Sequence, residues 1–189
     1  GGTHQAIEDI AITRVIPNMT VISPCDAIQA KKATMAAART DKPTYLRLAR
    51  EKTPLITTED TPFEIGKAII FREGKDVAII GCGMLLHNAL VAAEELAEEG
   101  IDAMVINSHT LKPLDKETVI EAAKITGAVV TVEEHQIYGG LGSAVAETLA
   151  QHLPTPIEFI GVKDRFGESG DPKELIEAFG LGITSIKEA

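Results

Sequence analysis

The chain has 189 residues, 44% of them hydrophobic, with a mean hydropathy of +0.09, enough to bury a core in one or two small domains. Its formal charge of −10 argues against a nucleic-acid partner, which needs clustered Lys and Arg on phosphates, but leaves room for a local anion site. The two cysteines, Cys25 and Cys82, lie far apart without zinc spacing and read as reduced thiols of a cytoplasmic protein; no apolar run approaches membrane-spanning length.

Ala6, Ile7, Ile10, Ala11 and Val15 recur at helical spacing, and Pro17-Asn18 ends that helix. "MTVIS" reads as a strand closed by Pro24. Asp26 is the expected N-cap of a helix from Ala27 to about Ala38, and after the "DKP" turn "TYLRLAR" reads as a second strand. Residues 1–50 are thus the closing half of an α/β domain whose opening strands are expected elsewhere. "EKTPLITTEDTPFE" has no period, two prolines and four threonines, so residues 51–65 are expected to link two units.

Residues 66–189 read as a mostly parallel sheet with helices on both faces, Rossmann-like, with one antiparallel edge strand. "KAIIF" and "DVAIIGCG" flank "REGK", which predicts a hairpin around Gly74. A helix from about Leu86 to Glu99 stops at Gly100. The strand "DAMVIN" follows, then a helix capped by Asp115 and ended by Gly127. "AVVTVEE" is a strand, a glycine loop leads into a helix ending near Leu153, and "IEFIGV" is the last strand. Asp171-Pro172 starts a short helix that stops at Gly180. Ser185 and Glu188 have capping-box spacing, which predicts the start of a helix with no body after it.

"GCGMLL" lacks the third glycine of a dinucleotide fingerprint and reads as a tight turn without a ligand. In "EEHQIYGGLGSAV", Glu133, Glu134 and His135 leave a strand end, and Gly139, Gly140, Gly142 and Ser143 precede a helix N-terminus. That loop is either an interface or an anion site. An acid–base role for the carboxylate and imidazole is the remaining reading, although Glu134 and His135 are adjacent and need not meet. His87, His109 and His152 have no partners at ligand spacing, so no metal site is expected; Lys112-Pro113 reads as loop geometry. His4 follows glycines and precedes a helix, where backbone comes close to a ligand. Arg50 ends a strand that also carries Arg47, and the two are expected on one face as a fork for phosphate or carboxylate, with a surface salt bridge as the alternative.

"GGTHQAIEDIAITRVIPNMTVISPCDA" with "KPTYLRLAR" resembles the closing half of the transketolase pyrimidine-binding domain. "DVAIIGCG", "INSHTLKPLD" and "VVTVEEHQIYGGLGSAVAE" resemble the transketolase C-terminal domain. Deoxyxylulose-phosphate synthases and the beta components of 2-oxoacid dehydrogenases share this architecture. "THQ" favours transketolase over the "THH" of the synthases, while Ala6 departs from the usual proline. The resemblance implies transfer of a two-carbon ketol unit between sugar phosphates, as in the pentose phosphate pathway, with thiamine diphosphate and Mg²⁺. It implies that His4 meets the donor sugar and that Arg50 grips the substrate phosphate. The activating glutamate and the diphosphate and metal sites are expected in other domains or an N-terminal subunit. The chain alone is therefore expected neither to bind the cofactor tightly nor to turn over, and a homodimer is implied. Two other readings are a non-catalytic assembly module and an anion-binding regulatory domain of a related thiamine diphosphate enzyme.

Overall fold

The computed structural model describes residues 2–189. Gly1, the first of the two glycines before His4, lies outside the described residues.

The first unit holds α1 (Asp9–Val15), β1 (Thr20–Ile22), α2 (Ala27–Ala37) and β2 (Thr44–Leu46). The helix starts three residues later than the apolar spacing suggests, since Ala6 and Ile7 run as irregular chain ahead of it. Asp26 caps α2 by accepting the Gln29 N–H at 2.9 Å. β1 and β2 pair in parallel, Thr20 opposite Thr44 and Ile22 opposite Leu46.

The second unit contains β3 (Ile69–Arg72), β4 (Val77–Gly81), α3 (Leu86–Glu98), β5 (Ala103–Asn107), β6 (Thr110–Lys112), α4 (Lys116–Thr126), β7 (Val129–Gln136), α5 (Leu141–His152), β8 (Ile157–Val162), α6 (Pro172–Ala178) and α7 (Ile183–Glu188). Its sheet runs β3-β5-β4-β7-β8 with only β3 antiparallel. Strand alternation divides the core. Ile79 and Val105 face Ala89, Ala93 and Leu96 of α3, whereas Ala78, Ile80, Met104 and Ile106 face Val119 and Ala123 of α4 and Val145 and Leu149 of α5. Gly127 ends α4 at φ +72°, where a glycine carries no Cβ penalty.

Three expectations are corrected. β3 and β4 do not form a hairpin. Both edges of β4 are taken by parallel neighbours, so β3 crosses to the free edge of β5. The connection lies over the start of β5, with the N–H groups of Lys75 and Asp76 donating to the Asp102 carbonyl, and a Cβ on Gly74 would strike the Ala103–Met104 backbone. Second, α7 is not a helix start without a body. It begins at Ile183 with Gly182 at the N-cap, and Ile186 is buried with the α3 side chains. Third, "TLK" is a strand that the sequence does not announce: β6 pairs antiparallel with β1 and adds a third strand to the small sheet.

The stretch between the units has no regular structure yet is pinned at both ends. The Asp26 carboxylate accepts the N–H groups of Ile56 and Thr57 and the Thr57 hydroxyl at 2.6–2.8 Å. Lys32 Nζ donates to the carbonyls of Thr58 and Glu59, both at 2.8 Å. Phe63 stacks on the buried His109 ring at 4.4 Å, and burial pushes that imidazole down to about 4, so it is neutral there.

Candidate functional site

In an open parallel sheet ligands settle beyond the C-terminal strand ends, where the strand order reverses. Here the reversal lies at β4, between β5 and β7, and the first unit occupies it. The Gly83 N–H donates to the Ser23 carbonyl at 3.1 Å, and the Ser23 N–H donates to the His109 carbonyl at 2.8 Å. Gly83 sits at φ +64°, and a Cβ there would meet Ser23 Oγ at 2.8 Å. The "GCG" turn thus seats the end of β1.

The glycine loop is engaged in the same way. Glu133 is buried and accepts the N–H groups of Leu141 at 2.7 Å and Gly142 at 2.8 Å, so the anion at the α5 N-terminus is the chain's own carboxylate. A Cβ on Gly140 would overlap that carboxylate. Burial raises the Glu133 pKa despite these donors and the Arg47 guanidinium. The Gly139 N–H donates to Ser143 Oγ at 2.7 Å. Arg14 of α1 donates one Nη to the carbonyls of Gly139, at 2.6 Å, and Gly140, at 3.0 Å, and pairs with Glu147. His135 is fully buried; its Nε2 accepts the Ala11 N–H at 3.2 Å, and its Nδ1 lies 2.7 Å from the Gln136 carbonyl. That geometry is a neutral imidazole donating through Nδ1. Lys112 Nζ closes the junction from β6, donating to the carbonyls of Arg14 and Ile16 at 2.7 and 2.6 Å, where α1 ends.

Open space also lies elsewhere on the seam. A cleft of about 390 Å³ is lined by His4, Gln5, Asp9, Tyr45, Arg47 and Arg50 of the first unit and by Glu134, Gly167, Leu175 and Phe179 of the second. His4 and Arg50, far apart in sequence, therefore share one cavity. His4 is exposed at the end of a 3₁₀ turn, with Nδ1 2.9 Å from Thr3 Oγ1. The Arg50 side chain is 88% exposed and, among the described residues, has only a long 3.8 Å approach to Glu51. The structure does not give the two arginines one face. They stand three positions apart, an odd number in a period of two, and regular pairing ends at Leu46. Arg47 turns inward.

There it ties both units together. Its Nε donates to Asp9 Oδ2 at 3.0 Å and one Nη to Glu134 Oε2 at 3.1 Å; the other Nη reaches the carbonyls of Ala6 at 3.0 Å and Glu134 at 2.9 Å. Tyr45 donates its hydroxyl to the same Asp9 oxygen at 2.7 Å, and burial together with that carboxylate pushes the phenol up to about 12. Glu134 and His135 point apart, as adjacent strand residues do. The sequence shows Arg47 as a charge but not as a bridge; an arginine next to "TYL" carries no local sign of its partners at positions 9 and 134. Among the described residues no group of three or more His, Cys, Asp or Glu could hold a metal ion, and no helix is long and apolar enough to cross a membrane.

Fold and cleft together define an α/β protein that builds its open site on the seam between two sheets. The transketolase pyrimidine binding domain model matches residues 1–55, and the transketolase C-terminal domain model matches residues 66–186. The chain belongs to the transketolase family, whose pyrimidine-binding domain implies dependence on thiamine diphosphate. It is 47% identical over 189 residues to the 6-deoxy-6-sulfo-D-fructose transketolase subunit of a Clostridium species, covering 100% of this chain and 59% of that protein. It is 43% identical to a putative transketolase C-terminal section of Methanocaldococcus jannaschii, covering 98% of this chain and 59% of that one. A solved split-gene transketolase, described as an inactive beta4 tetramer, superposes with a TM-score of 0.96 at 46% identity, over 100% of this chain and 62% of that chain. The Campylobacter jejuni transketolase superposes with a TM-score of 0.78 over 100% of this chain and 28% of that chain; at 22% identity it speaks for the fold alone. The chain thus spans about three fifths of the subunits it matches and is a transketolase-type portion that implies other subunits or domains.

Proposed function

We propose that this chain is the C-terminal portion of a thiamine diphosphate-dependent ketol transferase acting on sugar phosphates, active only with a partner subunit or domain that carries the rest of the cofactor site. The observation that carries this reading is the shared cleft, lined by both the His4 imidazole and the exposed Arg50 guanidinium. Residues 1–50 form the closing part of a pyrimidine-binding domain, residues 51–65 the connection, and residues 66–189 the C-terminal domain. Two copies of the assembly form a homodimer.

Thiamine diphosphate, when bound, supplies the carbanion stabilisation that the transfer needs. The residues present fit one edge of its surroundings only. His4 opens on the cleft, and the metal and diphosphate are assigned to the partner. This chain's own part is positional. With Nδ1 engaged by Thr3, the His4 imidazole offers Nε2 to a hydroxyl or carbonyl of the donor sugar. Arg50 presents two N–H groups side by side to a phosphate, and its exposure leaves that fork uncommitted. Leu175, Ile176 and Phe179 give the cleft an apolar wall on the side of the second unit.

Calorimetric titration of the isolated chain with thiamine diphosphate and Mg²⁺, beside a ketol-transfer assay with and without the partner, tests this. Tight binding with turnover by the chain alone overturns it. In the assembled enzyme Arg50→Ala raises KM for phosphorylated sugars by about 10- to 100-fold, as loss of a charge-assisted phosphate contact requires. KM for unphosphorylated sugars stays within about twofold; an equal rise for both removes the role of Arg50.

A further inference from the structure

The segment bearing His4 has little to hold it from its own unit: the turn Gly2–His4 contains no buried residue and joins no strand. It is held by the loop that follows β8 in the other unit, residues 163–171. Gln5 Nε2 donates to the Glu168 carbonyl at 2.8 Å, and the Gly2 N–H donates to Ser169 Oγ at 3.2 Å. The loop is itself tied back to β7, where Gln136 Nε2 donates to the Arg165 carbonyl at 2.7 Å. The two backbones approach so closely that a Cβ on Gly2 would lie 2.9 Å from the Gly167 carbonyl oxygen. A Cβ on Gly167 would overlap the Gln5 side-chain amide. This accounts for the glycine just ahead of "THQ": it leaves room for a loop of the C-terminal unit.

We propose that the Gly167–Ser169 loop, acting through Gln5 and Gly2, is the positioning element for the His4 imidazole. The inference rests on the reading of His4 as a substrate-contacting residue, and it adds a part for the C-terminal unit beyond scaffolding. Arg47 donates to the Ala6 carbonyl, so the segment is held at Gly2 and Gln5 by the loop and at Ala6 by the guanidinium. Gln5 is a positioning residue: although it lines the cleft, its amide is spent on the Glu168 carbonyl of the loop.

Two readouts test it. In the isolated 189-residue chain, the His4 ring ¹H–¹⁵N signals move in both Gln5→Ala and Gly167→Ala while strand amide signals stay in place. In the enzyme co-expressed and purified with its partner, each variant lowers kcat by about tenfold with KM for the phosphorylated donor within about twofold, because misplacement of a catalytic group costs turnover before binding. Gly167→Ala adds less than about twofold in a Gln5→Ala background, because the collision it creates is with Gln5 itself. Unmoved His4 signals in both variants, or independent multiplicative losses of kcat, overturn the proposal. If Gly167→Ala does not fold, Gln5→Ala alone decides. A His4→Ala enzyme with normal turnover defeats the functional reading instead, and the ring signals still report whether the loop holds His4.

Discussion

Replacing Arg47 by Met removes the central bridge of the seam while keeping a side chain of similar length. The Arg47 and Asp9 side chains are 14% and 11% exposed, and Glu134 is 33% exposed. Without the guanidinium, Asp9 keeps only the Tyr45 hydroxyl, while Glu134 turns to solvent. Breaking a buried pair by removing one partner costs about 3–5 kcal/mol, and since Glu134 escapes to water the lower end applies, about 3 kcal/mol. Arg47→Lys retains the charge but not a fork wide enough for four acceptors, and costs about 1–2 kcal/mol. With a urea slope of about 2 kcal/mol/M, the midpoints fall by about 1.5 M for Met and about 0.5–1 M for Lys, read by far-ultraviolet circular dichroism. Adding Asp9→Asn to Arg47→Met removes the stranded charge, and the double variant recovers about 1–2 kcal/mol relative to additivity. An Arg47→Met midpoint within experimental error of wild type, or strict additivity in the double variant, would mean that the network is surface decoration and the reasoning fails.

The Asp26 carboxylate gives a pH signature. Burial alone would raise its pKa, but the donors on Gln29, Thr57 and Ile56 outweigh that and hold it below the usual 3.8. A depressed acid contributes stability above its unfolded value and loses it as pH falls through the folded one. Asp26→Asn is therefore expected to be less stable by about 1–2 kcal/mol at pH 7, with the gap closing below pH 3.8; a gap independent of pH refutes the assignment. Arg14→Met releases the carbonyls of Gly139 and Gly140. Amide exchange at residues 139–143 should then quicken by about tenfold, while β5 amides hold their protection. Unchanged exchange at the loop would show that Arg14 is not its latch.

What the sequence determined alone is what depends on nearest neighbours. Helices α2, α4 and α6 follow from local chemistry: Asp26, Asp115 and Asp171-Pro172 at the starts, Gly127 at a stop. The strands of the large sheet, apolar on both faces, are equally plain. The long segments from "GGTHQAIEDIAITRV" to "VVTVEEHQIYGGLGSAVAE" suggest the family, and "THQ" favours transketolase within it. Tertiary structure decided everything that turned on which edge or partner was left over. β3 found β5 because β4 had no free edge, and a three-residue segment became β6 only because β1 lay beside it. Arg47 and Arg50 look alike in the chain, yet one is buried under two carboxylates and the other faces an open cleft. The glycine loop resembles an anion site until Glu133, eight and nine residues before its donors, is seen to fill it. Local patterning encodes a residue's own conformation within a turn or a strand repeat. It carries no record of the distant group that will meet its charge, and across a seam between two units that distant group is what makes the site.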